Sequence, residues 1–201
     1  MSLLVFFFAA VVLAITPGPG IAYVVARTVA GGRSEGLASC LGTGLGGLVH
    51  VLAAAFGLSL LIAQSAWAFN LVKYVGAAYL VYLGVRMLLR RNPDGEALTL
   101  DAKGARRAFT EGIVVEALNI KTALFFLAFL PQFTVPNSLL ALKLAVLGSI
   151  CVALNTLVDV LAVFSTDRML KSSIARAARA KVLNRVSGGT MVALGAYLAN
   201  A

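Results

Sequence analysis

Apolar residues dominate six stretches of the chain, at about positions 3–26, 37–63, 67–89, 113–133, 139–164 and 182–201. A helix of about 20 apolar residues, rising 1.5 Å per residue, is long enough to cross a bilayer. Charged residues gather between the stretches, and a turn signal stands in the longest connection, at Asn92-Pro93-Asp94-Gly95. The pattern therefore predicts an all-α membrane protein with six transmembrane helices.

The first stretch is interrupted by the run Thr16-Pro17-Gly18-Pro19-Gly20. The two prolines remove backbone donors, and the two glycines allow the chain to leave helical geometry. We expect the helix to break here and to resume after Gly20 as a half-helix through Ala26. The free N–H groups of that half-helix would form a site for a carboxylate at membrane depth. The alternative is a proline kink filled by neighbouring side chains.

Basic residues occupy the first, third and fifth connections between the stretches and are absent from the second and fourth. Lys and Arg favour cytoplasmic loops, so we expect the odd-numbered connections in the cytoplasm and both termini outside. The third connection, about 90–108, divides one transporter domain into a first half, about 1–90, and a second half, about 109–201. Three helices in each half predict halves of inverted topology.

Composition supports this view: 60% of the residues are hydrophobic and 12% are charged, against roughly 25% charged in soluble domains. The net charge of +9 resides in short connections, so nucleic acid is not expected as a partner. The run Met1-Ser2-Leu3 lacks the basic start of a signal peptide, and we expect the first span to be retained. Cys40 and Cys151 fit small buried side chains, and no metal or cofactor is expected.

Polar residues inside the apolar stretches mark candidate functional positions, because charge at the bilayer centre is costly. These residues are His50, Glu116, Asn119, Lys121 and Asp159. A lone histidine can shuttle protons near neutral pH, although hydrogen-bonded packing is the interpretation we favour for His50. Gly42 and Gly46 leave one face of the second helix nearly bare, which predicts close approach of a neighbouring helix.

Each charged candidate also has a structural interpretation. Asp159 fits an ion pair with Lys121 or Arg168 as well as it fits binding of a proton or an amine. Glu116 fits snorkelling to water or a bond to Asn119 one turn later. Lys121 lies about ten residues inside its helix, so its ammonium needs a carboxylate, a ring of carbonyl oxygens or an anionic substrate.

Four segments carry a resemblance that spans most of the chain: residues 15–19 (ITPGP), 76–84 (GAAYLVYLG), 118–133 (LNIKTALFFLAFLPQF) and 187–195 (SGGTMVALG). In these segments the chain resembles the lysine exporter and homoserine/threonine resistance (LysE/RhtB) family of amino-acid exporters. The resemblance implies a six-helix exporter in the bacterial inner membrane, driven by proton antiport.

By the same resemblance, Pro17, Gly18 and Pro19 form the first-half signature, Asn119 and Lys121 form the second, and Asp159 matches a common acidic position. Two departures stand out. Gly20 replaces the family's usual Asn, and Ile120 replaces the proline of Asn-Pro-Lys. Without that proline, we expect the fourth helix to be less broken than in the family.

The resulting hypothesis is a secondary transporter for amino acids or derivatives that works by alternating access. The half-helix start at Gly20 and Lys121 would hold the substrate carboxylate, and Asp159 would bind the amine or a proton. Glu116 and His50 are further proton-coupling candidates. Protons and the bilayer are expected partners, and a homo-oligomer is compatible with the sequence. The alternatives are an intramembrane enzyme, for which no catalytic cluster is evident, and a non-transporting membrane subunit.

Overall fold

The computed structural model describes residues 3–58, 101–134 and 139–169, together with single positions between 65 and 85 and at 192 and 196. The predicted third and sixth helices, and the segments 76–84 and 187–195, therefore lie largely outside the described residues. Within the described ranges all regular structure is helical. Two helical segments there are long and apolar enough to cross a membrane, Pro19–Gly57 and Leu140–Arg168. This agrees with the predicted all-α membrane protein.

The predicted break in the first stretch is present. Helix α1 spans Leu3–Ile15, and helix α2 spans Pro19–Leu52. Gly18 is the extended N-cap residue of α2, and Pro19 occupies the first helical position, where a missing N–H costs nothing. The expected restart after Gly20 and end at Ala26 were wrong, because Pro19 itself starts the helix and no breaker follows before Gly32.

Helix α2 reverses direction at Gly32, where φ is 72° and ψ is −166°. Its continuation to Gly57 makes 39 residues, which would measure about 58 Å as one straight helix, roughly twice a bilayer's hydrocarbon thickness. Before Gly32, the chain runs opposite to the helix Ala105–Ala117: Gly20 lies against Glu116, and Tyr23 against Ala108. After Gly32, it runs in the same direction as that helix: Gly42 lies against Phe109, and Gly46 against Ile113. Residues 19–31 and 33–52 therefore form an antiparallel hairpin with a one-residue turn, as two separate predicted spans require.

A second broken helix consists of α3, Ala105–Ala117, and α4, Ile120–Phe129, which continues as a 3-10 helix, Leu130–Phe133. The two parts bend by 46°. The Asn119 side chain caps α4 by accepting the Lys121 N–H at 3.1 Å. An asparagine cap thus starts α4 without proline, and Ile120 takes the first helical position. That this helix is less broken than its counterpart in the family stays a prediction.

Helix α5, Leu140–Met169, packs against residues 33–52 and against α1, and α1 and α4 share one apolar core. An apolar core lies on the side of the breaks away from Gly32, where Phe6, Leu13, Phe125, Phe129 and Leu144 are fully buried. After α2, a π-helix spans Ala53–Leu58.

The bare face predicted for the second helix is used for close packing. A side chain at Gly42 would collide with the carbonyl oxygen of Phe109, and one at Gly46 would lie 2.5 Å from the carbonyl oxygen of Ile113. These contacts set α3 directly against α2. Because α3 begins at Ala105, part of the predicted third connection is helical in the structure.

Candidate functional site

The two helix breaks lie side by side and are joined by Lys121. Its ammonium donates to the carbonyl oxygens of Leu13 at 3.2 Å and Thr16 at 2.9 Å. These carbonyl oxygens lie at the end of α1, where no helical N–H donates to them. Of the three partners considered for Lys121, the structure shows backbone carbonyls. The ammonium is thus engaged by the protein in this conformation and fixes the second broken helix against the first.

Glu116 lies in the last turn of α3 and is 7% exposed. One carboxylate oxygen accepts from the Asn119 side-chain amide at 2.9 Å, and the other accepts from the Thr122 hydroxyl at 2.7 Å. Snorkelling to water is therefore wrong for Glu116, and the predicted bond to Asn119 is confirmed. The carboxylate also lies directly beside Gly20, so close that a Cβ there would collide with it.

Asp159 lies in α5 and is 7% exposed. Its Oδ2 atom is 3.0 Å from the hydroxyl of Thr43, which is also 3.0 Å from the carbonyl oxygen of Cys40. The predicted ion pairs of Asp159 with Lys121 or Arg168 are absent among the described residues. A neutral hydroxyl therefore holds this carboxyl.

The three charged side chains line one cavity at the level of the breaks, which we call the central cavity. Its lining within the described residues includes Gly20, Thr43, Glu116, Asn119, Lys121, Thr122, Asn155, Thr156 and Asp159. The cavity leaves about 20 Å³ for the centres of water molecules. That volume suits one water or two, since one water needs about 10–15 Å³ by this measure. Binding anything larger requires the helices to separate.

The other predicted site residues surround this cavity without lining it. Pro17 and Pro19 are exposed, and Gly18 packs against the Lys121 side chain. His50 is buried, and its Nε2 atom lies 2.8 Å from the carbonyl oxygen of Glu116, at the end of α3. This position fits the hydrogen-bonded packing that the sequence favoured for His50.

The ionisable side chains of the central cavity form no ion pairs among the described residues. Across the described ranges, no ion pair within 4.0 Å includes Glu116, Lys121 or Asp159. Nor do those ranges contain a group of three or more His, Cys, Asp or Glu side chains placed to hold a metal ion. The arrangement offers two carboxyl groups and one bonded ammonium to a small polar ligand.

A second buried charged region lies near the Gly32 turn; Tyr23, Arg27, Glu35 and Glu111 form it, and we call it the Arg27 cluster. The Arg27 side chain is fully buried, pairs with Glu111 and lies 3.5 Å from Glu35. Its Nε atom donates to the Tyr23 hydroxyl at 3.1 Å. Arg27 and Arg33 are the basic residues of the first predicted connection; for Arg27 that expectation was wrong, because the helix continues to Gly32 and buries the side chain.

Glu35 also fixes the start of α3, since its Oε1 atom accepts the backbone N–H groups of Lys103 at 2.9 Å and Gly104 at 2.7 Å. Sequence reasoning missed this role. The only available signal was an acidic residue, Glu35, standing between basic ones in a short connection.

Comparison with known proteins assigns the chain to a family. The family described as LysE type translocator matches residues 11–201. The chain belongs to this family. Members are translocators, so this translocator is not an enzyme, and the intramembrane-enzyme alternative is wrong.

Several relatives match nearly the whole length. This translocator is 30% identical over 203 residues to the uncharacterized membrane protein YrhP of Bacillus subtilis, covering 96% of each chain. It is 27% identical over 191 residues to the homoserine/homoserine lactone efflux protein of Salmonella typhimurium, covering 94% of this chain and 91% of that one. It is 26% identical over 197 residues to an uncharacterized membrane protein of Synechocystis, covering 98% and 95%. No solved structure matches the chain.

Proposed function

We propose that this translocator exports amino acids or close derivatives across the bacterial inner membrane in exchange for protons, by alternating access to the central cavity. One observation carries the proposal: Glu116, Lys121 and Asp159 meet in one buried cavity without a charged partner among the described residues. Ionisable groups kept at membrane depth at such cost usually serve a substrate or ion pathway.

The substrate class rests on the cavity's chemistry and on one relative. Two carboxyl groups and neutral amide and hydroxyl groups suit a small molecule with a protonated amine. The Salmonella relative named for homoserine and homoserine lactone efflux handles molecules of this kind. Gly20, Asn119, Lys121 and Asp159 are the lining residues that we assign to substrate, with Pro17, Gly18 and Pro19 shaping the break beside them.

Asp159 is the group we assign to the proton. The Thr43 hydroxyl has one proton and two acceptors at equal distance, the Cys40 carbonyl oxygen and Asp159 Oδ2. It can donate to an ionised Asp159, or it can donate to Cys40 while accepting from a protonated Asp159. Both protonation states therefore keep their hydrogen bonds without backbone movement. Glu116 and His50 are the remaining candidates for the proton.

Alternating access is supported by the pairing of the broken helices. α1 and residues 19–31 lie antiparallel to α4 and α3, with both breaks at one level. Such pairing is expected of first helices in two inverted halves. The Arg27 cluster lies on one side of the cavity and the apolar core around Phe129 lies on the other. The basic connections predict the Gly32 side in the cytoplasm and both termini outside.

Efflux from proteoliposomes tests the proposal. Vesicles holding the wild-type protein are preloaded with a mixture of amino acids, and their loss is followed with and without an imposed pH gradient. We expect gradient-dependent loss of one or a few amino acids. Asp159→Asn should abolish that gradient dependence in folded protein, because an amide carries no titrating proton. Asp167→Asn, a surface change in the same helix, should leave efflux intact.

Lys121→Ala extends the test to the helix breaks and should also lose efflux, with Lys143→Ala of α5 as the matched control. Normal export by Asp159→Asn would remove Asp159 from the coupling mechanism. No export of any amino acid by folded wild-type protein would favour the non-transporting subunit.

A further inference from the structure

The carboxyl group of Glu116 is held in place by two neutral groups. Its two donors, the Asn119 amide and the Thr122 hydroxyl, lie at the N-terminus of α4. The side chain lines the central cavity and is almost fully buried. A buried carboxyl group is therefore presented to any ligand in this cavity at a fixed position.

Gly20 provides the space for that carboxylate. It lies in the first turn of α2, and a Cβ there would overlap the Oε2 atom of Glu116. The next flexible neighbour, the Asn119 amide nitrogen, is 3.9 Å from the same point. A glycine at position 20 thus has a local structural reason, because even alanine would displace the Glu116 carboxylate.

This arrangement disfavours a second carboxylate in the cavity. The start of α2 would otherwise attract an anion through its free N–H groups, but Glu116 already lies beside it and repels one. Lys121, the one cation among the described lining residues, has two of its three N–H groups on carbonyl oxygens. Asp159 adds another carboxyl. A ligand with a protonated amine and an uncharged carboxyl derivative fits these charges better than a zwitterion does.

We propose that Glu116, in the space left by Gly20, makes this translocator select amino-acid derivatives whose amine is protonated and whose carboxyl group is masked as an amide, ester or lactone. The inference rests on the proposed function and narrows its substrate class. Glu116 acts as a specificity-determining residue by attracting the net positive derivative and repelling the free carboxylate of the parent amino acid.

Equilibrium binding to protein in lipid nanodiscs tests the inference without interference from passive leakage. Matched pairs of amino acid and amino-acid amide, with several side chains, and the pair of homoserine and its lactone are measured at a pH that keeps the amine protonated. We expect the wild-type protein to bind the masked member at least about tenfold more tightly than the free acid.

Two variants separate the charge of Glu116 from its place in the fold. Glu116→Gln keeps hydrogen-bonding groups for Asn119 and Thr122 but removes the charge. The ratio of the dissociation constants of free acid and masked derivative should then fall close to one. Gly20→Ala keeps the charge but displaces it, and the preference should also fall. Asp167→Asn, far from the cavity, should keep the wild-type ratio.

Equal or tighter binding of the free acid by wild-type protein would overturn the inference, as would an unchanged preference in Glu116→Gln. If free amino acids are exported in the efflux assay while masked derivatives are not preferred, only this inference fails. If folded protein neither binds nor exports any member of any pair, the proposed function fails with it.

Discussion

The central cavity and the Arg27 cluster bury charge in opposite ways. In the Arg27 cluster, a fully buried guanidinium contacts two carboxylates and a tyrosine hydroxyl directly. In the central cavity, Lys121 bonds to backbone carbonyls, Glu116 to an amide and a hydroxyl, and Asp159 to a hydroxyl. Both regions border the same hairpin, the Arg27 cluster near its turn and the central cavity through Gly20 and Thr43.

Under the proposed function, the difference separates charge that holds the protein together from charge that is available to a ligand. A paired buried ion recovers much of its desolvation cost from its partner, and loss of that partner is strongly destabilising. Side chains held by neutral groups keep their charge available. We therefore expect substitutions in the Arg27 cluster to change stability and substitutions in the cavity to change transport.

The largest stability effect should come from Arg27→Gln. It leaves Glu35 buried without its cation, and we expect a loss of about 3–5 kcal/mol in the free energy of unfolding. Unfolding of purified protein in detergent micelles by a chemical denaturant measures this loss. Arg33→Gln breaks an exposed pair with Asp167 and should cost no more than about 1 kcal/mol. Equal effects in the two variants would contradict the distinction between the regions.

A smaller effect, on transport, should follow Thr43→Val. Valine keeps the shape but removes the hydroxyl that serves Asp159 in both protonation states, so we expect efflux to slow about tenfold with little change in unfolding. Thr43→Ser should restore the rate. Thr110→Val, on the exposed face of α3, is the matched control. Wild-type efflux by Thr43→Val would show that Asp159 needs no hydroxyl partner.

The smallest effect should be seen with Glu111→Gln, which weakens the Arg27 cluster at its most exposed member. Cys40 is 1% exposed and packs with Val24 and Val163, between the cluster and the cavity. In a Cys151→Ala background, labelling of Cys40 by a membrane-impermeant thiol reagent should become about fivefold faster, which corresponds to roughly 1 kcal/mol of easier opening. An unchanged rate would mean that the cluster does not limit access from the Gly32 side.

The sequence was sufficient where local chemistry decides the structure. The prolines and glycines at 17–20 predict a helix break that depends on no distant partner. Glu116, Lys121 and Asp159 are identified because they are isolated polar residues in apolar stretches. The break at Asn119 depends on a side-chain cap, which can start a helix without proline. The family resemblance supplied the expectation of a translocator that the comparisons confirmed.

Long-range contacts could not be predicted from the sequence. Arg27 looks like a cytoplasmic loop residue because charge near a span usually lies in water, and its burial depends on Glu111, which is distant in sequence. The carbonyl partners of Lys121 were one of three alternatives, since only the fold brings the end of α1 to the start of α4. The contact of Glu116 with Gly20 joins the two halves of the chain, and the periodicity of the sequence does not indicate it.

The turn at Gly32 has a mechanical consequence. A single residue with positive φ joins the two arms of the hairpin, so the connection has no slack. One arm begins beside Glu116 and the other carries Thr43, so each arm of the hairpin supplies one wall of the cavity. In the proposed alternating-access cycle, a displacement of the Gly32 end away from α3 would therefore move both walls of the cavity together.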